Sequence, residues 1–163
     1  MSERVDLKLA LIQTNLIWQD PVANRAQFEP LLEQARGADL VVLPEMFSTG
    51  FSMQSAELAE PESGPTSRWL SEQARRIGAV ITGSLIIQTA DGSSRNRLLW
   101  ARTDGSQSFY DKRHLFRMAG EHKHYSAGEQ QVLLEVKGWQ VRPLICYDLR
   151  FPEQARELRR QGA

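Results

Sequence analysis

Three side chains of this sequence together carry the chemistry of acyl transfer: the carboxylate of Glu45, the ammonium of Lys112 and the thiol of Cys146, the only cysteine. A thiol is a strong nucleophile but is only a few per cent ionised at neutral pH, so it needs help from its surroundings. Glu45 as general base and Lys112 as a nearby cation would supply it. Lys112 and the backbone N–H of Tyr147 would also stabilise an oxyanion on the attacked carbon, an interaction typically worth ~3 kcal/mol per donor. No cofactor or metal is required. Each residue also has an ordinary use: free cysteine is often a buried small hydrophobe, Glu45 can cap a helix or ride a loop, and Lys112 can be a solvated charge at a strand edge. What sets the three apart is position. Each follows an apolar, strand-like run, and in open α/β sheets the carboxyl rim of the strands is where ligands bind.

The elements that must position them are legible along the chain. Leu7 to Gln13 reads as a strand, and Asp20 before Pro21 is an N-cap with proline at the first helical position, opening a helix to about Arg36 that Gly37 stops. Ala38 to Leu43 is a continuous apolar run, as expected of a strand buried on both faces. A second helix spans about Ser67 to Ile77 and ends at Gly78, and Ala79 to Ile87 is a further strand. Turns at Asp91-Gly92 and Asp104-Gly105 separate strands at Arg95 to Ala101 and Ser106 to Tyr110. A βαβα opening followed by hairpins predicts an α/β fold with a mixed sheet. Lys112 to Gln130, which holds all three histidines, reads as a long surface loop, and long ordered loops are usually functional. Val132 to Val136 and Trp139 to Ile145 form a hairpin around Lys137-Gly138, and Pro152 to Gln161 a charged helix. Cys146 then sits at a strand-to-helix elbow, where the positive end of the following helix is expected to lower its pKa.

With 41% hydrophobic and 25% charged residues, the 163-residue chain reads as one ordinary globular domain. Its 20 basic and 20 acidic residues cancel, which disfavours nucleic acid or an anionic membrane as partner and favours a small molecule. One cysteine cannot close an internal disulfide, the N-terminal segment is too polar for a signal h-region, and no apolar run approaches the ~20 residues needed to span a bilayer. A reducing cytoplasm is the expected home. A helix ending at Gln161-Gly162-Ala163 would ordinarily feed another strand, so residues 1–163 are expected to be the N-terminal part of a larger domain.

Leu43-Pro44-Glu45-Met46-Phe47, Tyr110-Asp111-Lys112-Arg113-His114-Leu115-Phe116 and Leu144-Ile145-Cys146-Tyr147-Asp148-Leu149-Arg150-Phe151-Pro152 resemble, in order and at similar separations, the three signature segments of the nitrilase (carbon–nitrogen hydrolase) superfamily. The runs Glu45 to Phe51 and Lys112 to Met118 are most similar to its bacterial ω-amidase branch. The resemblance implies an αββα sandwich with mixed sheets, dimers pairing through the face near the cysteine, and a length some 100 residues greater than this chain, against the ordinary one-domain size. It implies Glu45 as general base and acid, Lys112 as stabiliser of the tetrahedral intermediate and Cys146 as nucleophile. Glu121 matches a second family glutamate that orients the lysine or a substrate group.

The expected reaction is hydrolysis of the terminal carboxamide of a small dicarboxylic monoamide, of the 2-oxoglutaramate or 2-oxosuccinamate type, through a cysteine thioester, with water as second substrate. The rivals are another branch (deaminated-glutathione amidase, N-carbamoyl hydrolase or nitrilase) and a non-catalytic scaffold on the same fold. Phe116, Tyr125 and Arg150 are candidate substrate contacts, although aromatic residues at a sheet rim more often pack and Arg150 can pair with Asp148 or Glu153 to hold the elbow. Glu121, His122 and His124 could be read as metal ligands, but nothing completes a tetrahedral set.

Overall fold

The computed structural model describes residues 5–159. Strands β1 (Leu9–Leu11), β2 (Leu40–Val42), β4 (Val80–Gln88), β5 (Ser94–Ala101) and β6 (Gln107–Asp111) lie side by side in that order, and a two-residue strand β3 (Glu60–Pro61) pairs with the far end of β4. β1, β2 and β4 are parallel, and β4, β5 and β6 form an antiparallel meander, so the sheet is mixed. Helices α1 (Pro21–Gln34) and α3 (Pro65–Ile77) make the crossovers that parallel strands require. The Asp20 carboxylate accepts from the Ala23 N–H to cap α1, and Gly78 closes α3 in the left-handed conformation.

The main core lies between these helices and one face of the sheet, where Phe28, Leu32, Leu70, Val41, Ile81, Leu85 and Ile87 are buried to 1% exposure or less. Each such side chain contributes about 1.5–3 kcal/mol relative to leaving it in water. The opposite face carries Leu40 and Trp100 and is covered by a hairpin of β7 (Leu134–Val136) and β8 (Trp139–Val141), with Leu134 and Val136 buried against it. Helix layer, mixed sheet and the start of a second β layer thus appear in the order of an αββα sandwich, with α4 (Pro152–Arg159) following. No helix among the described residues is long and apolar enough to cross a membrane.

Three expectations change. Strand β8 stops at Val141 rather than Ile145, because Pro143 has no N–H for the ladder, and residues 142–145 run unpaired to the elbow. Lys112 to Gln130 is not a surface loop: it folds into two 3₁₀ turns (Arg117–Ala119 and Glu121–Lys123) and buries Lys112, Glu121 and Tyr125. A four-residue helix α2 (Ser55–Leu58) and strand β3 occupy a stretch left without elements. The helix expected to reach Gln161 is seen to Arg159, and its last two positions lie outside the described residues.

Candidate active site

Glu45 stands three residues past β2, in a turn that must cross close over β4. Gly83 permits the crossing: a Cβ there would lie 2.8 Å from the Leu43 Cβ and 2.9 Å from the Phe47 ring. Ser84 then holds the turn, accepting the Met46 N–H on its hydroxyl and the Phe47 N–H on its carbonyl. Met46 is left at φ +46°, and Cys146 itself at φ +42°. Non-glycine residues in this region cost of order 1–3 kcal/mol and persist only where the surroundings enforce them, typically at functional sites.

The enforcement at Cys146 comes from Asp148. This carboxylate is fully buried and accepts from the Ile145 N–H (3.0 Å), the His114 N–H (2.8 Å) and the Tyr110 hydroxyl (2.8 Å), with His114 Nδ1 at 2.9 Å. It ties the elbow, a 3₁₀ turn over Cys146–Arg150, to the lysine segment. The His114 ring also stacks on Phe151. Arg150 was expected to pair with Asp148 or Glu153; it is exposed and makes no ion pair among the described residues, because Asp148 is turned inward.

Lys112 follows β6 directly, its N–H bonded to the Asn96 carbonyl, and its side chain is fully buried. Its ammonium donates to Glu45 Oε1 at 2.7 Å and to Glu121 at 3.1 Å (Oε1) and 2.9 Å (Oε2). Glu121 is fully buried and also receives the Phe116 N–H on Oε2. Asn96, in the middle of β5, donates through Nδ2 to Glu45 Oε1 (2.9 Å) and Glu121 Oε1 (3.1 Å). Sequence reasoning missed it, and only its polarity in an otherwise apolar strand face could have flagged it. The two glutamates are therefore not equivalent. Both oxygens of Glu121 are held by donors, whereas the two donors on Glu45, Asn96 and Lys112, both sit on Oε1, and the carboxylate also faces the Cys146 thiol as a hydrogen-bond partner.

Cys146 and Glu45 line the same small cavity, about 90 Å³, with Val42, Thr82, Leu98 and Ile145. Cys146 is exposed, yet its thiol is pushed above its ordinary 9.0, by burial first and then by the charge of Glu45, with Lys112 pulling the other way. This reverses the expected lowering. The α-helix starts only at Pro152, beyond the 3₁₀ turn, and the lysine cation is shared between two carboxylates. The N–H of Tyr147 bonds to no acceptor among the described residues.

Other expected contacts divide. Phe116 lies against Tyr147, ring centroids 5.1 Å apart. Tyr125 is a packing residue instead, 4% exposed among Met46 and Ile86, with its hydroxyl donated to the Ser52 carbonyl. Phe47 is core, and Phe51 sits 5.3 Å from the Lys112 ammonium. Glu121 turns inward while His122 and His124 stay exposed, and no group of three or more metal-capable side chains is assembled among the described residues. Beside the elbow, a cavity of about 300 Å³ is lined by Arg113, Arg117, His122, Tyr147 and Phe151. A larger cleft, about 360 Å³, carries Arg97 and Asp111 but none of Glu45, Lys112, Glu121 and Cys146.

Compared with known proteins, the chain is 49% identical over 150 residues to the omega-amidase YafV of Yersinia enterocolitica, covering 92% of this chain and 58% of that protein. It is 30% identical to the 2-oxoglutaramate amidase of Bacillus subtilis (strain 168), covering 95% and 61%. A CN-hydrolase superfamily protein from Xanthomonas campestris, whose structure holds an arsenic adduct in the active site, superposes with a TM-score of 0.88 at 48% identity, over 91% of this chain and 56% of that one. The chain thus spans about three fifths of the length of the curated relatives it matches. Residues 8–163 match the carbon-nitrogen hydrolase family, and the chain belongs to that family.

Proposed function

We propose that this protein is an amidase that hydrolyses the terminal carboxamide of a small dicarboxylic monoamide of the 2-oxoglutaramate type, releasing ammonia. The observation that carries the reading is the asymmetry of Glu45: one oxygen is anchored by Lys112 and Asn96, and the carboxylate meets the Cys146 thiol on a shared cavity wall. The relatives, an omega-amidase and a 2-oxoglutaramate amidase, supply the substrate class.

In this mechanism Glu45 Oε2 takes the thiol proton as the sulfur attacks the amide carbon. The oxyanion receives the Tyr147 N–H and a Lys112 N–H. One bifurcated N–H of the ammonium can serve both Glu121 oxygens, which leaves a third for this purpose. Protonated Glu45 passes its proton to the amide nitrogen, the carbon–nitrogen bond breaks and ammonia leaves a thioester on Cys146. Glu45 then deprotonates water, whose attack on the thioester frees the acid and returns the proton to sulfur. Glu121 keeps Lys112 in place. The test is mass spectrometry after brief mixing with 2-oxoglutaramate. An adduct on Cys146 equal to the amide minus ammonia, absent in Cys146→Ala, is the expected result; steady ammonia release by Cys146→Ala defeats the mechanism.

The second, charged end of such a substrate needs a cationic wall. Arg113 and Arg117 make no side-chain ion pair among the described residues and line the cavity beside Tyr147 and Phe151. Phe116 and Arg150 remain available as further contacts, and Tyr125 does not. Replacing both Arg113 and Arg117 by alanine should raise KM for the anionic monoamide roughly tenfold at low salt, less at high salt, because exposed charges are screened. KM for an uncharged amide of similar size should hold; equal effects on both would remove these arginines from the reading. A reducing cytoplasm and pairing into dimers through the elbow face belong to the same proposal, the first supported by the lone thiol and the second by family resemblance. Size-exclusion chromatography with light scattering tests the second.

A further inference from the structure

We propose that Asn96 is a positioning residue of this site, its side-chain amide tying Glu45 to Glu121 and fixing which oxygen of Glu45 faces the thiol. Asn96, Leu98 and Trp100 alternate onto one face of β5, and the other two are apolar. The fold alone would favour an apolar side chain at the first position as well. Instead an amide is buried there to 1% exposure with its Oδ1 unpartnered among the described residues, an arrangement that costs stability. What offsets that cost is the pair of donors on Nδ2, which reach one oxygen of each carboxylate. Two carboxylates around one lysine repel each other and can rotate about their terminal torsions. A neutral donor pointing at both Oε1 atoms removes that freedom without adding charge. Glu45 Oε1 is then saturated by Asn96 and Lys112, so proton transfer is confined to Oε2.

The titratable groups that face Glu45 are Lys112, Glu121 and Cys146, with Tyr125 close enough to feel its charge. Removing the Asn96 donor makes the Glu45 carboxylate a stronger base and leaves its field at the thiol less compensated. The ladder contact survives any side-chain change, since Lys112 N–H bonds to the backbone carbonyl of Asn96.

The experiment compares wild type with Asn96→Leu and the near-isosteric Asn96→Asp. The inference rests on the amidase reading for one arm only. In that arm, kcat for 2-oxoglutaramate should fall about 10- to 100-fold, the range for hydrogen bonds to charged groups, with little change in KM. The acid limb of kcat/KM should move to higher pH, further in Asn96→Asp, where a third carboxylate replaces a donor. The second arm needs no amide: alkylation of Cys146 by iodoacetamide should shift its pH midpoint upward in both variants. An unchanged midpoint together with an unchanged acid limb overturns the assignment. A failed amidase reading would show as no acyl adduct in wild type, and the alkylation arm would still decide the role of Asn96. Should Asn96→Leu not fold, Asn96→Asp, which keeps the shape, gives both readouts.

Discussion

Replacing Glu45 with glutamine is expected to stop amide hydrolysis and, in the same protein, to make Cys146 easier to alkylate at pH 8. The two effects run in opposite directions because the carboxylate has two relations to the sulfur. As a base it receives the thiol proton, and losing a general base costs typically 10²–10⁴ in rate. As a fixed negative charge it opposes thiolate formation, and with burial it holds the thiol above its ordinary 9.0. Glutamine removes the charge while its amide oxygen can still accept from Lys112 and Asn96, and the lysine cation then acts on the sulfur with one opposing carboxylate fewer. The pH midpoint of iodoacetamide alkylation should therefore lie above 9.0 in the wild type and drop in Glu45→Gln. Every unit of drop is a tenfold gain in thiolate at pH well below the midpoint, or 1.36 kcal/mol. A resting site of this kind keeps the nucleophile neutral until a substrate carbon is there to receive the electrons. Hydrolysis and alkylation falling together in the variant would mean that the thiolate pre-exists and that Glu45 sustains it, which the placement of charges does not allow.

The same residues show what sequence can and cannot reveal. Glu45, Lys112 and Cys146 could be picked out because each is a reactive type directly behind a strand-like run, a local feature. The capping of α1 by Asp20 and the stop of α3 at Gly78 were legible for the same reason. Asn96 was not, since its partners lie 51 and 25 residues away and its neighbours Arg95 and Arg97 make the stretch look like an exposed strand edge. The burial of Glu121 in a polar loop depends on the fully buried lysine opposite, which no periodicity encodes. Strand β3, two residues ending in proline, and helix α2, a single turn, are too short for any pattern to register. The thiol was misjudged because a local argument, the dipole of the next helix, competed with burial and with a carboxylate 101 positions earlier, and lost. Arg150 was misjudged likewise: nearness in sequence suggested Asp148, but Asp148 had four better contacts inside.

Lys112→Met should be the most damaging single change to stability in the site, with a pH signature that identifies why. Methionine keeps most of the apolar stem but leaves Glu121, fully buried, and Glu45 without their cation. Removing one partner of a buried ion pair typically costs about 3–5 kcal/mol, because the remaining charge is neither solvated nor paired. In the wild type the folded-state pKa of Lys112 is raised: burial lowers it, but the charges and hydrogen bonds of Glu45 and Glu121 outweigh burial. Its stabilisation is therefore complete below the unfolded value of 10.5 and is lost only as pH rises through the folded value. In the variant the sign of the pH dependence changes in the neutral range. A buried carboxylate without a cation is relieved by taking up a proton, so the folded state binds more protons than the unfolded chain and stability falls as pH rises from about 5 to 8. Urea unfolding at pH 5 and pH 8 should show a small deficit at the first and a large one at the second. Adding Glu121→Gln to Lys112→Met should recover part of the loss at pH 8 but none of the hydrolysis, because the oxyanion donor is still missing. A deficit that is the same at both pH values, or that grows toward acid, would show that the lysine acts through packing alone and that the Glu45–Lys112–Glu121 charge cluster does not govern this site.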